Sequence, residues 1–322
     1  MSTDDDRTSA GRAFELNRRL RGGVNIIGYD PIWRDGSGAR MQDRHFRLIK
    51  EAGFEHVRVN LHPFAHMESA PRFHIGEGWL KTLDWAVAQA LSNDLAVVLD
   101  MHEFGAMGDD PVGNHDRYLA TWKQLAQRYR GLPETVCFEL LNEPCRALTP
   151  VLWNQYLLEA HAIVRESNPD RVVIIGPAFW NGIDHLDELM LPEDDTAIIA
   201  TVHYYRPMEF THQGAPWSSF QDYVGTEWHA TPEEQHAIIA DFTRAEAWAE
   251  AHHRPLYLGE FGAYDRADMP SRARYTHFVA RLAEASGWSW AYWQFDSDFI
   301  VYDIDNDVWV APIRDALIPP QN

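Results

Sequence analysis

"FELLNEP", residues 138–144, opens as an apolar run of the kind that fills a sheet and closes on three residues that sheets avoid. Pro144 has no N–H for a ladder hydrogen bond, so a strand here must end before it and deliver Asn142 and Glu143 at its carboxyl end. In parallel α/β sheets that end is where ligands bind. Whether the rest of the chain supplies such a sheet decides the fold.

Working outward, the run extends to "VCFELLNEP" (136–144), and seven others resemble it: "VNIIGY" (24–29), "HVRVNL" (56–61), "LAVVLDMHE" (95–103), "RVVIIGPA" (171–178), "AIIATVHYY" (197–205), "PLYLGEFGA" (255–263) and "WSWAYWQFD" (288–296). Near-continuous hydrophobicity marks strands covered on both faces. Between the runs lie stretches of helical period, such as "WLKTLDWAVAQALSND" and "VLWNQYLLEAHAIVRES". Eight strands alternating with helices predict a (β/α)8 barrel, of the α/β class, ahead of an open doubly wound sheet. The 322 residues contain no linker or repeat that would divide them. The expectation is one catalytic domain over 1–322, with residues 1–20 a partly flexible extension. Segment 206–231 has no clear period, and its aromatics, Phe210, Trp217, Phe220, Tyr223 and Trp228, suggest a wall of the ligand cleft.

Charge narrows the partner. Asp and Glu number 48 against 28 Lys and Arg, a formal net charge of −20, so nucleic acid or an anionic membrane surface would be repelled, whereas a neutral polysaccharide is indifferent to that field. The two cysteines, Cys137 and Cys145, stand at opposite ends of one run, roughly 26 Å apart in extended chain, and cannot bridge without folding the strand back. The N-terminal "MSTDDDRTSAGRAFELNRRL" lacks an apolar core of signal-peptide length, and no run of 18 apolar residues occurs.

A barrel would gather at the carboxyl ends of its strands Arg58 and Asn60, His102 and Glu103, Asn142 and Glu143, His203 and Tyr205, Glu260, and Trp293. Polar groups converging from six strands cost free energy unless they pair with each other or with ligand. Glu143 and Glu260, on the fourth and seventh strands, would face each other across the barrel. Two carboxylates across a cleft suit glycosidic bond cleavage, one protonated to give its proton to the leaving oxygen and one ionised to attack or to activate water. Arg58 could hold one of them ionised. Among the 16 His, His62, His66 and His74 follow the second run, but the first run has no His, so no metal site is expected.

These residues resemble glycoside hydrolase family 5, and most of all its bacterial endo-β-1,4-glucanases, from "GVNIIGY" to "QFDSDF". The resemblance implies that Glu143 of "NEP" is the acid/base and Glu260 of "GEFG" the nucleophile of a retaining double displacement that needs no cofactor. It implies that Arg58 supports the nucleophile and that His102 and Asn142 bind hydroxyls of the sugar at the cleavage site. His203 and Tyr205 would hydrogen-bond the acid/base and the nucleophile, and Trp293 would lie under that sugar. The "FTHQGA.W" loop is similar to bacterial members, and Trp217 of that loop and Trp180 of "AFWNG" are expected as further sugar platforms; Trp85, Trp122, Trp153 and Trp248 lie in amphipathic stretches and are read as packing. The expected substrate is cellulose-like or mixed-linkage β-glucan, with β-mannan, xyloglucan or xylan as alternatives. A sugar-binding barrel without catalysis and a metal-dependent hydrolase are remoter readings. A polymeric substrate implies a secreted enzyme whose signal peptide is absent from this sequence, the alternative being a cytoplasmic enzyme acting on imported oligosaccharides. No binding module or linker is attached, so soluble or amorphous polymer is expected to be preferred.

Overall fold

Each apolar run contributes one strand, and the eight strands close on themselves. The computed structural model describes residues 9–34 and 38–320. Its strands are β1 (Gly22–Ile26), β2 (His56–Leu61), β3 (Ala96–Met101), β4 (Val136–Glu139), β5 (Val173–Ile175), β6 (Ile198–Tyr204), β7 (Leu256–Phe261) and β8 (Ser289–Tyr292). All neighbours are parallel, and β8 returns to β1 with Gly22 opposite Trp290 and Val24 opposite Tyr292. This is the (β/α)8 barrel expected. Except for β2, the ladders stop short of the apolar runs at their carboxyl ends, β4 at Glu139 rather than at 144, because the remaining residues leave the ladder to line the mouth.

The helices on the outside begin where the local chemistry starts helices. Those at Pro111–Tyr129, Pro150–Ser167, Pro232–His252 and Met269–Ala285 each carry Pro in the first turn, behind Asp110, Thr149, Thr231 and Asp268, whose side chains accept from backbone N–H groups of that turn. Their apolar faces cover the outward residues of the strands, including Val57, Val59, Val97, Leu99 and Phe138. Inward residues alternate with these. At the lower end they are apolar, Ala96, Val98, Cys137, Ile174, Ile199, Tyr257 and Ala291, and make a separate core.

That lower core is closed by a helix, Ser9–Leu20, which inserts Ala13, Leu16 and Leu20. The expectation of a partly flexible extension over 1–20 is therefore corrected for residues 9–20, since three buried apolar side chains hold the helix against the barrel floor; residues 1–8 lie outside the described residues. A second correction concerns segment 206–231. Phe210 and Trp228 are buried against Tyr275, with ring centroids 5.4 and 5.6 Å away, so they pack the loop onto the barrel instead of facing a cleft. Trp217 and Tyr223 remain exposed. Cys137 and Cys145 are free and buried. Among the described residues no helix is long and apolar enough to cross a membrane.

Candidate active site

Moving up the barrel, the inward positions change from apolar to polar on β3, Val98 then Asp100 and His102 just past its end, and on β4, Cys137 then Glu139, while β2 is polar throughout with His56, Arg58 and Asn60. Arg58, Asn60, Asp100 and Glu139 are each fully buried. Arg58 organises them. Its Nε and Nη2 donate to the two oxygens of Glu139 at 2.7 and 2.9 Å; Nη2 also donates to Asn142 Oδ1, and Nη1 to Asn25 Oδ1 and Glu260 Oε1, each at 2.8 Å. Every N–H of the guanidinium is thereby engaged. Asp100 Oδ2 accepts from Asn60 at 2.9 Å and from His102 Nδ1 at 2.6 Å, while its Oδ1 stands 3.2 Å from Arg58 Nη2 without a hydrogen bond.

The two glutamates sit above this floor. Glu143 lies just past β4 with φ +43°, in the left-handed region that a residue with a side chain rarely adopts. Its Oε1 accepts from His203 Nδ1 at 2.8 Å, and His203 Nε2 is met by the Asn181 amide at 3.2 Å. With that amide donating to Nε2, the ring hydrogen is on Nδ1 and points at Glu143. Glu260 is better supplied. It accepts from Arg58 at 2.8 Å and from the Tyr205 hydroxyl at 2.9 Å, with His203 Nδ1 3.5 Å away.

The alignment of these groups depends on an irregularity. Val202 pairs with Leu258, but His203 pairs with Glu260, so Gly259 is skipped in the register. A Cβ at Gly259 would lie 2.9 Å from His203 Nε2, which is why glycine fits the skipped position.

Burial is the largest influence on both carboxyl groups. It pushes Glu143 up to about 8, Arg58 opposing and Asp100 and Glu139 adding, and it pushes Glu260 up to about 7, with His203 and Arg58 opposing and Glu143 and Asp100 adding. Burial also lowers His102 and His203, keeping both neutral, and raises Tyr205 so that it stays a donor. The order matches the donors: Glu260, with more hydrogen bonds to its ionised form, loses its proton first. One oxygen from each glutamate and one nitrogen of His203 lie within 4.8 Å of one another. That closeness corresponds to the carboxyl spacing of about 5–5.5 Å used in retaining glycoside hydrolysis rather than the 6.5–9.5 Å of inversion. Three such donors could also hold a cation, but in this network His203 presents its hydrogen, not its lone pair, to Glu143.

The structure therefore brings Arg58, His102, Asn142, Glu143, His203, Tyr205, Glu260 and Trp293 into one site. Trp293 is parallel to His102, with centroids 5.4 Å apart, and edge-on to Tyr29. The two outer tryptophans, Trp180 and Trp217, are 47% and 56% exposed, whereas Trp293 is largely buried. Trp180 is tied by its backbone N–H to Pro144 O, beside Glu143, within a run of positive φ from Phe179 to Asn181. Trp217 packs edge-on to Tyr264, which shares an apolar cluster with Trp293 and Phe299. Glu103 faces elsewhere, accepting from the Phe64 N–H at 2.6 Å. Sequence reasoning missed Asn25, Tyr29, Asp100, Glu139 and Asn181. The available signal was a charged residue two positions before a strand-end polar residue, Asp100 before His102, or inside an otherwise apolar run, as with Glu139.

A family model described as cellulase, glycosyl hydrolase family 5, matches residues 21–298. Among solved structures, Thermotoga maritima Cel5A in complex with cellobiose is 41% identical with a TM-score of 0.91, covering 95% of this chain and 100% of that one. The same enzyme is known in complex with mannotriose. Endoglucanase C of Acetivibrio thermocellus is 27% identical over 342 residues, 93% of this chain and 97% of that protein. Endoglucanase H of the same organism is 28% identical over 314 residues, 95% of this chain but only 34% of its own length, so the chain spans about a third of that relative.

Proposed function

The chain belongs to the cellulase family, glycosyl hydrolase family 5, and from that premise we propose that it is an endo-β-1,4-glucanase working by retention, with Glu260 as nucleophile and Glu143 as acid/base. The observation that carries the assignment of roles is the unequal hydrogen bonding of the two carboxyl groups, Glu260 accepting from Arg58 and Tyr205 and Glu143 from His203 alone. In the first step a Glu260 oxygen bonds to the anomeric carbon as the bond to the leaving oxygen breaks, and Glu143 gives that oxygen its proton. In the second, Glu143 takes a proton from water, the water oxygen bonds to the anomeric carbon, and the ester to Glu260 breaks. Arg58 and Tyr205 hold Glu260 ionised and aimed. His203 orients Glu143, and Asn142 and His102 meet hydroxyls of the sugar at the cleavage site.

Trp293 supports that sugar, and Trp180 and Trp217 extend the platform outward. The substrate is cellulose-like or mixed-linkage β-glucan, and a polymer of that size places the enzyme's work outside the cell. The net charge of −20 suits a neutral polymer. The test is product analysis on carboxymethyl-cellulose, barley β-glucan, xyloglucan, galactomannan and xylan, beside the Glu143→Gln and Glu260→Gln variants. Short oligosaccharides released mainly from the first two, with each variant reduced by several orders of magnitude, are expected. Release mainly from galactomannan or xyloglucan would replace the substrate, and near-normal turnover in either variant would remove the assignment of roles.

A further inference from the structure

We propose that Glu139 is a positioning residue for the nucleophile: by gripping the Arg58 guanidinium at two points it fixes the direction of that group and divides its charge, and so sets the pH at which Glu260 becomes reactive. The proposal rests on the reading of Glu260 as nucleophile. Glu139 is the last residue of β4 and fully buried, below the floor of the cleft, where no sugar reaches it. Both of its oxygens are taken by Arg58, at 2.7 and 2.9 Å. A two-point pair of this kind leaves a planar guanidinium no rotational freedom, which directs Nη1 at Glu260 Oε1.

The charge balance is unusual for a support residue. One cation serves three carboxyl groups, Glu139 at 2.7 Å, Glu260 at 2.8 Å and Asp100 at 3.2 Å. Around Glu260 stand Arg58 from β2, Asp100 from β3, Glu143 beyond β4, and His203 and Tyr205 from the end of β6, with Tyr29 from the loop after β1; among these Arg58 is the one cation, since burial keeps both imidazoles of the site neutral. Burial is the main reason the Glu260 carboxyl stands at about 7 rather than near the ordinary 4.5, and the Arg58 charge that opposes it is already paired with Glu139. Replacing Glu139 with Gln removes the competing negative charge. More of Arg58's charge then acts on Glu260, the ionised form is favoured, and the acid limb of activity moves to lower pH.

The experiment is the pH dependence of kcat/KM on a soluble cello-oligosaccharide for the wild type, Glu139→Gln and Glu139→Asp. Glu139→Gln is expected to move the acid limb down by about one pH unit, and Glu139→Asp, which keeps the charge, to leave it close to its wild-type position. A folded Glu139→Gln enzyme whose activity falls equally at every pH, with the limb unmoved, would overturn the proposal and leave Glu139 a structural counter-ion. Carboxyl titration of the wild-type protein, carbon-13-labelled at Glu and followed by NMR, gives a second decision that needs no variant. Glu139 is expected to stay ionised wherever Glu260 titrates; protonation of Glu139 at or above that pH would overturn the proposal. A wild type that cleaves no glycan would remove the functional reading, while the titration would still decide whether Glu139 presents its charge to Arg58.

Discussion

Glu143 and Glu260 are the same side chain made different by their donors. In the proposed roles Glu260 is ionised to attack and Glu143 protonated to assist departure, so kcat/KM should rise as pH passes through about 7 and fall as it passes through about 8. Tyr205 offers a clean probe of the lower limb. Removing Arg58 instead would strand Glu139, Asp100 and Glu260 together and confuse catalysis with folding. Tyr205→Phe deletes one hydroxyl donor, 2.9 Å from Glu260 Oε2, and nothing else. A hydrogen bond to a charged group contributes about 1.5–3 kcal/mol, so the variant should lose roughly one to two orders of magnitude in kcat/KM. Because the lost bond favoured the ionised form, the acid limb should move up by about one pH unit, opposite to the shift expected of Glu139→Gln. A limb that stays in place would separate Tyr205 from the nucleophile's ionisation.

At the scale of elements, two strand ends deliver the chemistry by breaking regularity. β4 hands over to a left-handed residue, Glu143, and β7 skips Gly259 so that Glu260 comes opposite His203. Gly259→Ala would press a methyl group to within 2.9 Å of His203 Nε2, and the ring, held between Asn181 and Glu143, has nowhere to yield. The expected result is a loss on the order of a hundredfold in kcat with unchanged secondary structure by circular dichroism; turnover within a few-fold of wild type would show that the skipped register is not what seats His203. The eight strands are legible in the sequence because burial on both faces writes an unbroken apolar run. The strand-end residues Glu143, His203 and Glu260 are legible for the converse reason, as polar letters closing such runs. The points where the ladders stop are not legible, since residues of the mouth are as apolar as those of the ladder. Nor is the floor helix, whose buried apolar residues, Ala13, Leu16 and Leu20, stand among charged neighbours. Asp100 and Glu139 escape because a single charge inside an apolar run reads as a strand interior until the register aims it at Arg58.

For the molecule as a whole, the barrel separates stability from function along its axis. The lower interior is an apolar core closed by the Ser9–Leu20 helix, and the upper interior is a charged floor under the two glutamates. Buried ion pairs contribute little net stability because of what desolvation costs. Their place here is to aim and bias Glu260, and the apolar floor supplies the rigidity that lets them do so. The family resemblance apparent in the sequence and the 0.91 TM-score of the solved relative cover the same length of barrel, so the mechanism can be asked of this chain directly. The central claim is that Glu260 forms a covalent bond to sugar during turnover. Incubation with a 2-deoxy-2-fluoro-β-cellobioside bearing a good leaving group, followed by proteolysis and mass spectrometry, tests it most directly. One glycosyl group on the peptide that contains Glu260, absent in Glu260→Gln, is the expected result; a label on another carboxylate, or an active enzyme that never acquires one, would contradict the account.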